Sequence, residues 1–112
     1  LIDVDENGIG RYVTDGVQRL SLRKTCGTPH YDYMDLPWHR AEKQDVSYLE
    51  AGKPVEVLMD LLPTSYVFQA GHRILISITT ACQGYWYLEQ AGEEIKIHHA
   101  EFGGTYIDLP TL

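Results

Sequence analysis

The sequence predicts an all-β protein, a sandwich or barrel of about seven short strands, and three observations point there. Aromatic side chains are plentiful, with eight Tyr, two Trp and two Phe beside many Val and Ile, and ten Gly and five Pro interrupt them at short intervals. That composition favours short strands over long helices. Apolar residues recur at every second position in several stretches, the period of a strand with one buried face. Turn residues separate those stretches at the spacing of antiparallel strands.

Taken in order, Leu1 to Val4 and Ile9 to Thr14 flank Asp5-Glu6-Asn7-Gly8, whose Asn-Gly step tolerates the positive φ angles of a tight hairpin. Asp15-Gly16 is a second turn. Gln18, Leu20 and Leu22 then alternate with Arg19, Ser21 and Arg23, which predicts a half-buried strand. From Lys24 to about Tyr48 no period survives among Pro29, Pro37, Trp38, several tyrosines and mixed charge. A long irregular loop is expected at about 24–48. Loops of that length are uncommon in compact domains and usually cover something, so Trp38 and its neighbouring tyrosines are candidates to pack on an adjoining surface.

Glu50-Ala51-Gly52-Lys53 reads as a turn that leads into a strand, with Val55, Val57, Met59 and Leu61 on one face. Pro63-Thr64-Ser65 ends it, Tyr66 to Phe68 is a short extended piece, and Ala70-Gly71 turns the chain into a strand from Arg73 to Thr79. Ile74, Ile76 and Ile78 are expected on its core side. Ile95 to His98 and Thr105 to Leu109 form a closing pair joined across Gly103-Gly104. No internal repeat or low-complexity segment interrupts this order.

A chain of 112 residues has room for one modest core. Sixteen acidic against nine basic residues give a net charge of −7, which repels phosphate backbones and anionic lipid alike. No apolar run approaches the roughly 18 residues needed to cross a bilayer. Neither nucleic acid nor a membrane is expected as a partner. Cys26 and Cys82 are too few for a disulfide-stapled scaffold and read as free thiols. The opening Leu1-Ile2-Asp3-Val4 has neither an initiator Met nor a signal sequence, as a fragment that starts inside a strand would.

Asp3, Asp5, Asn7 and Gly8 match the first, third, fifth and sixth positions of a calcium loop, but the twelfth is Thr14 and the flanks are strand-like. A plain hairpin turn is the better reading. Ser21, Ser47, Ser65, Ser77, Cys26 and Cys82 offer nucleophilic atoms, yet none stands in a G-x-S-x-G elbow, so no catalytic residue is assigned. His98 and His99 leave opposite faces of a strand, and there is no Cys-x-x-Cys. No metal ligand and no cofactor is expected.

His72 and Arg73 follow the turn at Ala70-Gly71 and read first as partners for strand-end carbonyls or a carboxylate, and second as ligand contacts. Tyr85-Trp86-Tyr87 is the strongest functional hint in the composition. Tyr85 and Tyr87 share one strand face and Trp86 takes the other, so core or interdomain packing competes with ligand stacking. Trp38, His72, Arg73, Tyr85, Trp86 and Tyr87 are therefore the candidate ligand or interdomain contacts.

Three segments resemble the C-terminal domain of the cocaine esterase and X-Pro dipeptidyl-peptidase family of serine hydrolases. The most specific is PTSYVFQAGHRILISI at Pro63 to Ile78, preceded by EAGKPVEVLMDLL at Glu50 to Leu62. LIDVDENG followed by VTDGVQRLSLR, from Leu1 to Arg23, is similar to the family's L-x-D-V-x-x-x-G and T-x-G-x-x-R stretch, and IKIHHAEFGGTYIDLP at Ile95 to Pro110 resembles its closing strand pair. Ala81 to Glu94 departs from the family in lacking its longer Pro- and Asn-rich loop.

The resemblance implies a jelly-roll, galactose-binding-like sandwich, here its C-terminal half, appended to an α/β-hydrolase domain that holds the Ser, Asp and His triad. This chain would then be a non-catalytic accessory domain that supports the hydrolase domain of the same polypeptide and shapes its substrate cleft. Half a sandwich exposes strand edges and a core face, which predicts a homo-oligomer for the chain alone. The competing expectation is a stand-alone carbohydrate-binding module that stacks sugars on Trp38, Tyr85, Trp86 and Tyr87. An independent small hydrolase is a third, and no turnover by the isolated chain is expected.

Overall fold

Strand formation begins at Asp5. In the computed structural model its Oδ1 accepts the N–H groups of Asn7 and Ile9, both at 2.9 Å, while its carbonyl accepts the N–H of Gly8 and its own N–H reaches Ile9 O, both at 3.0 Å. Gly8 takes the left-handed conformation at φ +82°. This is a three-residue hairpin loop. It brings β1, Ile2–Val4, against β2, Gly10–Tyr12, in antiparallel register with Asp3 opposite Arg11.

The structure describes residues 1–31, 35–80, 94–99 and 104–110, and the chain divides into two compact units, Leu1–Ser77 and Ile78–Leu112. In the first unit a turn at Ala70-Gly71, with Gly71 at φ +86° and His72 N–H bonded to Gln69 O at 3.1 Å, leads into β3, Arg73–Leu75. β3 pairs antiparallel with β1, Asp3 facing Ile74, so the sheet order is β2-β1-β3. Among the described residues there is no α-helix, and the fold is all-β.

A second contact fastens the chain after β2. Thr14 Oγ1 donates to Leu62 O at 2.8 Å, and Leu62 N–H donates to Asp15 O at 2.9 Å. Gly16 follows with no Cβ, and a Cβ there would stand 2.0 Å from Asp60 O. Thr14-Asp15-Gly16 thereby lies directly against the backbone of residues 60–62.

Several expected strands are absent. Gln18 to Arg23 is not a strand: Leu20–Leu22 is a 3-10 helix. Leu22 N–H bonds Arg19 O at 2.8 Å, Gln18 Nε2 bonds the carbonyls of Arg19 at 3.1 Å and Leu22 at 2.9 Å, and Arg23 Nη1 takes Leu20 O at 3.0 Å. Long polar side chains satisfy these carbonyls locally, which removes the need for a ladder partner. Val55 to Leu61 likewise forms no ladder. Its apolar alternation is real, but a strand also requires a neighbouring edge, and the described residues supply none there.

The strand expected over Arg73 to Thr79 is confined to Arg73–Leu75, and Ile74 and Ile76 are about half exposed rather than in a core. Within the second unit, Ile78 is exposed, and neither Ile95 to His98 nor Thr105 to Leu109 is a strand. Thr105 instead closes a turn, its N–H reaching His99 O at 3.3 Å and its hydroxyl reaching His98 O at 2.6 Å, with Gly104 at φ +84°. Gly103 lies outside the described residues.

Residues 24–31 and 35–48 contain no strand, and their one regular element is a 3-10 helix at Lys43–Asp45. Glu42 caps it in a capping box with Asp45. Among the described residues the buried side chains are Asp3, Thr14 and Asp45, and no apolar side chain is buried. The interior contacts of the first unit are therefore polar, and its apolar faces are open.

Candidate functional site

Two buried carboxylates organise the first unit. Asp3 sits on the central strand with 1% of its surface exposed. Successive strand residues point to opposite faces, so Asp3 leaves the face of Ile2 and Val4. It accepts the Tyr66 hydroxyl at 2.8 Å, and His72 Nδ1 lies 3.0 Å from each of its oxygens. The proton on that nitrogen points into the carboxylate. Burial alone would raise the Asp3 pKa, but the hydrogen bonds from His72 and Tyr66 and the nearby charges of His72 and Arg11 outweigh it and hold the carboxyl below its ordinary value. The same bond from Asp3, with burial, raises Tyr66.

Asp45, 2% exposed, closes the irregular segment. Arg40 grips it with two prongs, Nε to Oδ2 at 2.9 Å and Nη2 to Oδ1 at 2.7 Å, while Lys24 Nζ reaches Oδ1 at 3.1 Å and Glu42 N–H reaches Oδ2 at 3.3 Å. The Arg40 bonds come first in holding Asp45 far below the carboxylate range, and they prevail over burial, which acts the other way. Arg40 is raised in return, chiefly by its bond to Asp45. A bidentate guanidinium is the geometry in which such a pair is strong.

An open hollow is lined by Cys26, Pro29, Tyr31, Leu36, Trp38 and Leu58, among others. Tyr31 and Trp38 meet edge to face, with centroids 5.5 Å apart at 81°. The neck of the loop is closed by Cys26 N–H on Trp38 O at 2.8 Å, and Cys26 is a free thiol. His39 lies between two backbone carbonyls, Nδ1 3.2 Å from Lys24 O and Nε2 3.0 Å from Leu58 O.

The sequence-derived site residues are thus scattered. Trp38 is in the hollow, His72 is against Asp3, and Arg73 stands exposed on β3 opposite Val4. Tyr85, Trp86 and Tyr87 lie outside the described residues. Sequence reading did not single out Asp45, Arg40, Lys24, His39 or Tyr66. An Arg five residues before an Asp gives no local signal of burial, and the Tyr66 partner is 63 residues distant.

These groups brace the backbone. Both carboxylates are saturated by donors, and among the described residues no three His, Cys, Asp or Glu side chains could hold a metal together. Asp5 of the calcium-like pattern is engaged by its own turn, and Asp3 faces His72 and Tyr66. Such geometry defines a β-rich domain stapled by buried polar ties.

The chain belongs to the X-Pro dipeptidyl-peptidase C-terminal non-catalytic domain family, whose model matches residues 1–109. Proteins bearing the name serine esterase in Mycobacterium bovis and Mycobacterium tuberculosis are each 33% identical over the whole chain, which covers 18% of their length. The cocaine esterase of a Rhodococcus species is 31% identical over 72% of the chain and 11% of its own length. The chain therefore spans less than a fifth of the curated relatives it matches. No solved structure matches it.

Proposed function

We propose that this chain works as the accessory domain of a larger serine hydrolase, as part of a jelly-roll sandwich that supports the catalytic domain and shapes one wall of its substrate cleft. The observation that carries this reading is the family match across residues 1–109 in a chain spanning 18% of the esterase-named relatives. The open apolar faces of the first unit support it, since exposed apolar surface of this kind marks a contact with another surface. The rest of the same polypeptide is the cover we favour. Trp38, His72, Arg73, Tyr85, Trp86 and Tyr87 are the candidate contacts along it, and acyl transfer to water would proceed on residues outside this chain.

The test compares ester hydrolysis by the full-length polypeptide, by the same polypeptide lacking residues 1–112, and by the chain alone. The full-length protein is expected to hydrolyse a p-nitrophenyl ester, the truncated form to lose at least tenfold in turnover or to aggregate, and the isolated chain to show none. Turnover by the isolated chain, or an unchanged truncated form, overturns the reading. An assembly of copies through the same faces is the alternative cover for the chain alone, and a folded monomer by sedimentation at micromolar concentration rules it out.

A further inference from the structure

A carboxylate only accepts hydrogen bonds, so the proton of the His72 ring stands on Nδ1, 3.0 Å from each oxygen of Asp3. In the neutral ring Nε2 is then a bare acceptor. No hydrogen bond from a described residue reaches it. Every fully buried side-chain nitrogen or oxygen among the described residues has a partner, so Nε2 opens to water, although the His72 side chain is only 16% exposed.

The hold on the ring is strong for a group that ends in water. Asp3 is 1% exposed on the central strand, and its Oδ2 also accepts the Tyr66 hydroxyl at 2.8 Å, which keeps the carboxylate from turning away. A carboxylate behind one ring nitrogen fixes the tautomer and direction of the other, as at sites where that other nitrogen engages a partner. The setting is that of a contact. Ile74 lies directly across the ladder from Asp3, 49% exposed, and Tyr66, 39% exposed, is steadied edge to face by Phe68 with 5.0 Å between ring centroids.

We propose that His72 Nε2 accepts an interdomain hydrogen bond: a hydroxyl or N–H of the rest of the same polypeptide docks on it, Ile74 and Tyr66 form the apolar contact around it, and Asp3 is the positioning residue. The inference rests on the accessory-domain reading, and the occupant follows from the length of polypeptide beyond this chain, which covers 18% of an esterase-named relative. The buried charge of Asp3 behind the ring enriches Nε2 in electrons, so a donor is held there and a carbonyl or carboxylate in the same place is repelled. Such a bond is worth most where water is excluded, and the apolar neighbours exclude it.

Diethyl pyrocarbonate, which acylates a bare ring nitrogen, reads Nε2 directly when the peptide carrying His72 is followed by mass spectrometry. Reaction is expected to be at least about tenfold slower in the full-length polypeptide than in the isolated chain, because the lone pair is engaged there. Equal rates overturn the anchor, whether both are fast or both slow, and so does a rate in the isolated chain that falls with protein concentration, which would give the site to a second copy. His72→Asn keeps an amide N–H for Asp3 and deletes Nε2. Its unfolding midpoint is expected to fall at least about 3 °C further in the full-length polypeptide than in the isolated chain, since only there does a donor lose its acceptor. Equal falls would leave His72 a brace and overturn the anchor. Should the variant fail to fold, nitrogen NMR of the unsubstituted isolated chain at about pH 8.5, where an ordinary histidine is neutral, decides the part of Asp3: a proton on Nδ1 supports it and a proton on Nε2 refutes it. Turnover lost on truncation, with His72 equally reactive in both settings, rejects the anchor alone and leaves the accessory-domain reading standing.

Discussion

Among the described residues of the first unit, Asp45 and Asp3 are the buried charges, and they set its response to acid. Both carboxyls lie below their ordinary value of 3.8 in the folded chain, Asp45 far below it. The unfolded chain therefore binds more protons in acid than the folded one does. The stability each group contributes is complete above its unfolded pKa and is lost as the pH falls through the folded value. Thermal unfolding followed by circular dichroism is expected to give a drop in Tm that begins near about pH 5 and steepens as the pH falls below the ordinary value of 3.8. In Asp45→Asn that slope is shallower and the Tm at pH 7 is lower by more than about 5 °C, because Arg40 and Lys24 lose their buried counter-charge and one of the two accepting oxygens becomes a donor. A variant with the wild-type slope would show that Asp45 does not carry the acid response.

At the scale of elements, the hairpin and the Thr14-Asp15-Gly16 contact differ in how legible they were. The hairpin is legible because the bonds of its loop all fall between Asp5 and Ile9, and the Asn-Gly step marks its turn. The turn at Ala70-Gly71 was visible for the same reason. Residues 18–23 misled, because alternation records which faces are apolar and says nothing of Gln18 and Arg23 bonding back onto nearby carbonyls. Val55 to Leu61 misled differently: its pattern is that of a strand, but pairing depends on an edge elsewhere. The site divided along the same line. His72 stands beside a turn glycine, a signal local to it, whereas its partner Asp3 is 69 residues away.

Gly16 tests the contact that sequence distance concealed. A methyl group there meets Asp60 O at 2.0 Å, and the obstacle is backbone that cannot swing aside. Gly16→Ala is expected to destabilise the chain by about 3 kcal/mol in urea unfolding, the upper end of overpacking costs. Gly71→Ala, strained at φ +86°, is expected to cost about 1–2 kcal/mol. A methyl group on Gly27 would meet nothing within 4 Å, and the backbone there is not left-handed, so Gly27→Ala is expected to be neutral or to stabilise by about 0.5 kcal/mol. Equal effects at Gly16 and Gly27 would remove the close approach of residues 14–16 to 60–62.

At the scale of the whole molecule, the first unit combines polar ties with uncovered apolar side chains. Leu62 is 61% exposed and Val67 74% exposed, and Ile74 and Ile76 are also open. Burying one such side chain is worth roughly 1.5–3 kcal/mol, so whatever covers them gains substantially. The net charge of −7 makes copies of the chain repel one another but hides none of this surface. Val67→Ser separates the isolated chain from its larger context. In the chain alone, Val67 already faces water, so the change is expected to alter stability by less than about 0.5 kcal/mol and to reduce binding of a hydrophobic dye. In the full-length polypeptide, where the accessory-domain reading has this surface covered, the same substitution is expected to lower stability by about 1–2 kcal/mol, as loss of a buried aliphatic group would. Equal, negligible effects in both settings would mean that Val67 stays in water throughout, and the covering surface would then have to be sought on another face of the unit.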